Sequence, residues 1–399
     1  MSDKIEPLIG MTTKQKNLGQ YFTISDELQQ YVFDMVQHKG SELLEPSFGQ
    51  GHLLKKFLEF DTDYPIVCYE LDSSLKPSIT FGNEQKRIYA DFLENTPDQY
   101  FMTIIGNPPY VKHKNGNLYI QFIERCFSLL ADEGELIFIV PADFIKLTSA
   151  APVIIKMMEE GSFTDFYFPQ NEKLFDKASV DIMIFRYVKG LKGRAKVVVN
   201  GEEKYINAKS GIITFSSNLI EADQKLISEI CDVYVGLVTG LEEVFKVPIG
   251  NMSVLNDKNK IDTYIFIKEY PSSNPIINEH LHANKSALLG RRIRSFTDKN
   301  WFEWGAPRNI KIIEEKMGSD CIYVRTITRS SEVAFLGKVQ HFGGGLLCLI
   351  PKTTVSLATL KKIVEFLNTK EFQKEYIYSG RFKIGHKQIS NVVLNKIIE

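Results

Sequence analysis

No pair of cysteines in this chain has metal-binding or redox spacing. The five that occur (Cys68, Cys126, Cys231, Cys321, Cys348) are scattered and odd in number. Neither a zinc site nor a disulfide framework is indicated, no metal is expected, and a reducing cytoplasm fits best. No apolar run reaches the length of a membrane span, so no membrane partner is expected. Asp3, Glu6 and Pro7 among the first residues read against a signal peptide. A Pro-Asp…Glu-x-Lys nuclease site is also missing. Net charge is nearly absent, at −1.

That near-zero sum hides two unlike halves. Residues 1–230 carry 24 Lys and Arg against 32 Asp and Glu, whereas residues 231–399 carry 24 against 17. The basic half is the expected phosphate-contacting half. A length of 399 residues, 44% hydrophobic and 24% charged, predicts a globular chain of two domains, 1–230 and 231–399.

The first half alternates helical and strand patterns. Helices are expected at 25–37, 52–59 and 118–130. Strands are expected at 42–45, 65–69, 87–89, 102–105 and 135–140, with two more at 165–168 and 181–188. Such alternation predicts an α/β fold with a doubly wound, mostly parallel sheet. The segment 189–220 reads as a small β-extension. The second half is less regular, with Trp301, Phe302 and Trp304, a glycine triplet at 343–345 and a late helix at 357–367.

The strand at 102–105 stops abruptly at Asn107-Pro108-Pro109-Tyr110. Two prolines cannot continue a ladder and fix an extended turn. Rigid carbonyls, an amide and an aromatic ring are thereby presented at a strand's C-terminal end, where open α/β sheets place ligand chemistry. The Asn107 oxygen and the Pro108 carbonyl can accept from one exocyclic amino group, and Tyr110 can stack on a flat ring. Transfer to an amino group on a planar base suits this arrangement.

The preceding strand ends complete a set. Glu45-Pro46-Ser47-Phe48-Gly49-Gln50-Gly51 joins a strand to a helix, and its glycines let the backbone approach a ligand. It has neither Gly-x-Gly-x-x-Gly nor the Lys-Ser/Thr of a P-loop, which disfavours a dinucleotide or triphosphate. Glu70 ends the next strand, where an acid can bind ribose hydroxyls. Asp91 ends the third and can accept from an adenine amino group, with Phe92 packing against the ring. The ordered set, closing on Asn107, favours S-adenosylmethionine. Upstream, residues 17–23 combine a glycine, an amide, two aromatics and a hydroxyl (Gln20, Tyr21, Phe22 and Thr23 among them) just before the first helix.

Together these motifs, in this order, resemble the γ-type N6-adenine DNA methyltransferases, in particular the TaqI methyltransferase group of restriction–modification systems. The resemblance covers residues 14–188 well and the second half more loosely. It implies a Rossmann-like S-adenosylmethionine-dependent methyltransferase domain plus a C-terminal mixed α/β target-recognition domain. It implies Asn107, Pro108, Tyr110 and Phe175 as catalytic-pocket residues, Phe175 from the segment 173–180 walling the flipped adenine opposite Tyr110. It implies Gln20, Tyr21, Phe22, Thr23, Glu45, Pro46, Gly49, Gly51, Glu70, Asp91, Phe92 and Asn107 at the cofactor. Double-stranded DNA is the implied partner, a separate cognate restriction endonuclease a further one, and a monomer the simpler state. Phe48 and Gln50 depart from the small residues usual in the glycine loop. Candidate phosphate contacts are Arg291, Arg292, Arg294, Arg325, Arg329, Arg381, Lys383 and Lys387. RNA adenine or protein glutamine N-methylation are the alternatives.

Overall fold

The computed structural model describes residues 23–95, 97–113, 116–169, 181–217, 225–378 and 380–394. Its contacts divide into two units, residues 1–219 with 378–380 and residues 220–377 with 381–399. This division precedes the expected 230/231 boundary. Lys225 and Leu226 already pair with Val393 and Leu394, and Ile227–Ile230 forms a short helix running into the second unit's sheet.

The first unit is built on one sheet of ten strands. In chain order they are β1 (Leu43–Glu45), β2 (Ile66–Glu70), β3 (Gln85–Tyr89), β4 (Phe101–Gly106), β5 (Leu130–Pro141), β6 (Gly161–Tyr167), β7 (Ile182–Lys189), β8 (Lys196–Val199), β9 (Glu202–Lys209) and β10 (Ile212–Ser216). Their spatial order is β10-β9-β8-β6-β7-β5-β4-β1-β2-β3. β5, β4, β1, β2 and β3 run parallel. β7 then enters antiparallel between β5 and β6, and β8 to β10 extend that side. After β2 and β3 the chain crosses to the other side of β1 to form β4. This crossing is a topological switch point, the place where an open α/β sheet leaves a crevice for a ligand.

Residue type explains the burial. β2 is buried along its whole length, as expected of a parallel strand covered on both faces. One face packs against α1 (Asp26–Met35) and α2 (Lys55–Phe60). Leu28, Val32 and Phe57 meet Leu43, Ile66, Ile105, Ile137 and Ile184 there. Ser25 caps α1 by accepting from the Leu28 N–H at 3.4 Å. α3 (Leu118–Ser128) and α4 (Ala151–Glu160) each bury an apolar face; Phe127 of α3 sits edge-on to Tyr187 of β7.

The second unit carries a four-stranded antiparallel sheet of β11 (Cys231–Val235), β14 (Asp320–Arg325), β15 (Ala334–Lys338) and β16 (Leu346–Pro351), ordered β11-β16-β14-β15. β12 (Met252–Asp257) and β13 (Lys260–Tyr264) form a separate hairpin. Trp301, Phe302 and Trp304 belong to a buried cluster with Phe245 and Tyr264. The late helix spans Leu357–Leu367.

Candidate active site

A cavity of ≈ 330 Å³ opens at the C-terminal ends of β1 to β4. It gathers Thr23, Glu45, Pro46, Gly49, Glu70, Asp91, Phe92 and Asn107, all expected from the sequence. Pro109 lines it, whereas Gly51, Pro108 and Tyr110 do not. Gln20, Tyr21, Phe22 and Phe175, with the segment 173–180, lie outside the described residues. Sequence reasoning missed the wall supplied by α3: Leu118, Gln121 and Phe122. These fall at i, i+3 and i+4, one face of a helix. Only the helical period there could have signalled them.

The loop after β1 holds its shape through backbone. The Phe48 N–H donates to the Tyr69 carbonyl at 2.8 Å and the Gly49 N–H to Glu70 Oε2 at 2.9 Å. Gly51 contributes by conformation: its φ is +83°, and a Cβ there would stand 2.6 Å from Ile79 Cδ1. Phe48, bulkier than the motif usually carries, turns into the core beside Phe81 and Tyr89.

Glu45 is 1% exposed, and its Oε2 has no hydrogen-bond partner. Burial, with Glu70 close by, pushes its carboxyl up to about 8 against an opposing bond from the Asn107 N–H. Glu70 is also raised by burial, while N–H groups of Asp72 and Gly49 bond it and oppose the shift. Asp91 accepts the Leu93 N–H at 2.9 Å through Oδ1. Phe92 stacks on Phe122, with centroids 5.6 Å apart.

Asn107 is fixed from both sides. Its Nδ2 donates to Thr23 Oγ1 at 2.9 Å, and its Oδ1 accepts from the Tyr110 hydroxyl at 2.6 Å. That hydroxyl also lies 3.0 Å from the Ile139 carbonyl. Tyr110 therefore does more than offer a ring: it tethers the amide it accompanies.

Four acidic side chains, Glu45, Glu70, Asp91 and Glu94, line the cavity, and among the described residues no lysine or arginine does. Such a lining rejects phosphates and suits a cationic ligand. An orphaned buried carboxylate oxygen adds a place for an ammonium. The residues therefore fit S-adenosylmethionine, which carries a sulfonium and an ammonium against one carboxylate, on an adenosine. Among the described residues no group of three His, Cys, Asp or Glu is placed to hold a metal.

In the second unit, three expected phosphate contacts are corrected. Arg291 is 7% exposed, lies over the Phe296 ring, and donates to the carbonyls of Leu288, Thr239, Glu303 and Trp301. Arg294 binds Glu303 and the Trp304 carbonyl, and Arg325 binds Asp257. These cations serve the fold. Arg292, Arg308 and Lys387 are exposed.

Residues 55–175 match the family described as Eco57I restriction-modification methylase. The Type II methyltransferase M.HindII of Haemophilus influenzae is 24% identical over 314 residues, covering 62% of this chain and 59% of that protein. M.TthHB8I of Thermus thermophilus is 27% identical over 216 residues, covering 47% and 49%. The chain thus covers less than two thirds of either relative's length. The type I restriction-modification methyltransferase subunit from Streptococcus thermophilus aligns with a TM-score of 0.36 and 16% identity, over 49% of this chain and 50% of that one. The resemblance drawn from the motifs thus meets the same group of proteins: residues 55–175 match an Eco57I-type restriction-modification methylase domain, and the relatives named here are Type II methyltransferases.

Proposed function

We propose that this protein methylates N6 of adenine in double-stranded DNA, within a short recognition sequence, as the modification arm of a restriction–modification system. One observation carries the reading: a carboxylate-lined cavity, with no lysine or arginine among its described residues, meets the Asn107-Pro108-Pro109-Tyr110 turn at the end of β4. The relatives named above, both Type II methyltransferases, support DNA as the substrate.

S-adenosylmethionine, when bound, supplies an electrophilic methyl on its sulfonium. Glu45 holds the ammonium end, Glu70 the ribose hydroxyls and Asp91 the adenine amino group. Asn107 Oδ1 and the Pro108 carbonyl accept from the substrate's exocyclic amino group and turn its lone pair toward the methyl. The target base must leave the duplex to reach them, since its reacting atom is otherwise stacked away. Tyr110 and Phe175 replace the lost stacking, each contributing about 1–3 kcal/mol. Positioning supplies most of the rate, and no covalent intermediate is required. The second unit, in the basic half, grips phosphates through its exposed cations.

The test is expression in a host free of adenine methylation, followed by sequencing of its DNA for N6-methyladenine. Methylation at one recurrent motif, lost with Asn107→Ala, is the expected result. Unmodified DNA from cells making soluble protein that still binds the cofactor would overturn the DNA assignment.

A further inference from the structure

The cavity holds a second orphan, opposite in polarity to Glu45. Gln121 Nε2, on α3, is buried without a hydrogen-bond partner while Gln121 lines the cavity. A buried donor is left so only where something else completes it. The neighbours show which part of a ligand would. Phe122, next in sequence, stacks on Phe92, next to Asp91, at 5.6 Å and 27°. This pairing sets the wall of α3 beside the end of β3. Asp91 spends Oδ1 on the Leu93 N–H and keeps Oδ2 to accept. An acceptor, Asp91, and a donor, Gln121, thus line one cavity together with the two aromatic rings. Adenine presents the complement, an amino donor flanked by ring-nitrogen acceptors. A 6-oxopurine presents the reverse, a carbonyl acceptor beside an N–H donor.

We propose that Gln121 donates a hydrogen bond to a ring nitrogen of the bound cofactor's adenine and, with Asp91, makes the pocket selective for adenine over oxopurines. This rests on the reading of the cavity as an S-adenosylmethionine site. The role is one of binding and selection: Gln121 fixes the base end of the cofactor, while the Asn107 turn handles the reacting end.

Calorimetric titration with S-adenosylhomocysteine and its 1-deaza, 3-deaza and 7-deaza adenine analogues tests the proposal. Each analogue lacks one ring nitrogen. The wild-type protein is expected to bind one of the three about tenfold more weakly than the parent. In Gln121→Leu the parent weakens by about the same factor, and the difference between parent and that analogue disappears. Gln121→Met, which keeps the side chain's length and removes the donor without adding charge, shows the same loss of discrimination and guards against misfolding of the leucine variant. The proposal is overturned if the wild-type protein binds all three analogues like the parent, or if the discrimination persists in both variants. Failure of the wild-type protein to bind S-adenosylhomocysteine itself would instead overturn the cofactor reading beneath it.

Discussion

Glu45 is where burial and charge conflict most in this molecule. Its carboxyl is held up to about 8, from an ordinary 4.5, by burial and by Glu70. A raised acid favours the folded state in its protonated form. This contribution is complete below about 4.5 and is lost as pH rises through about 8. The ligand-free wild-type protein should therefore lose more thermal stability between pH 5 and pH 9 than Glu45→Gln does. At pH 7 the group is mostly protonated, and an arriving ammonium favours the ionised form. Cofactor binding should then release nearly one proton, read by calorimetry in buffers of different ionisation enthalpy. Equal proton release from Glu45→Gln would place the effect elsewhere. Tyr110 offers a second measurement at this scale. Tyr110→Phe keeps the ring and removes the hydroxyl that holds Asn107 and meets the Ile139 carbonyl, so kcat should fall about ten- to a hundredfold with affinity for S-adenosylhomocysteine unchanged. An unaltered kcat would show the tether to be idle.

Among the elements, β5 and β7 are locked by a buried ion pair at the far end of the sheet from the cavity. Glu135, fully buried, accepts the N–H groups of Gln37 and His38 at 2.9 Å, just beyond α1. Its other oxygen takes Arg186 Nε at 2.7 Å, and Arg186 also donates to Thr164 on β6. Thr103 of β4 also donates to Glu135 at 3.3 Å, so three strands (β4, β5 and β7) and a helix terminus share one carboxylate. Glu135→Ala removes the near partner of a buried guanidinium, leaving it only Asp165 at 3.8 Å, and should cost about 3 kcal/mol in urea unfolding. Glu135→Leu combined with Arg186→Leu should recover part of that, and a single-mutant loss below about 1 kcal/mol would contradict this account. The strands themselves were legible, because long apolar runs between turn residues mark them. Their direction was not: β7, buried on both faces over most of its length, reads like the parallel strands beside it, so its antiparallel insertion could only be seen folded. The site was legible where it lies at strand ends, since Glu45, Glu70, Asp91 and Asn107 follow apolar runs at once. Gln121 was not, because a polar residue in the first turns of an amphipathic helix reads as solvent-facing.

For the whole molecule, the charge division between halves was visible by counting, but the work of single cations was not. Arg291 and Arg292 are adjacent in sequence and opposite in setting. Burial, with Arg294 nearby, pulls the Arg291 guanidinium down to about 10, still charged at neutral pH, while four carbonyls receive its protons. Arg292 is exposed. Arg292→Ala should weaken DNA binding about equally across sequences and lower the salt-dependence slope by about 1, with melting temperature unchanged. Arg291→Ala should lower the melting temperature instead. Matching salt slopes for wild type and Arg292→Ala would remove Arg292 from the DNA-contacting surface.

The pairing of Asn107 with Thr23 and Tyr110 also bears on how such a protein could change over time. A hydroxyl can donate as readily as accept. Were Asn107 replaced by aspartate, Thr23 would turn its hydrogen toward the new oxygen and Tyr110 would keep its bond. Both side-chain hydrogen bonds would survive, and the cost would be electrostatic: one more carboxylate in the cavity that already holds Glu45 and Glu70. Drift between the two residues would therefore be opposed by charge rather than by geometry.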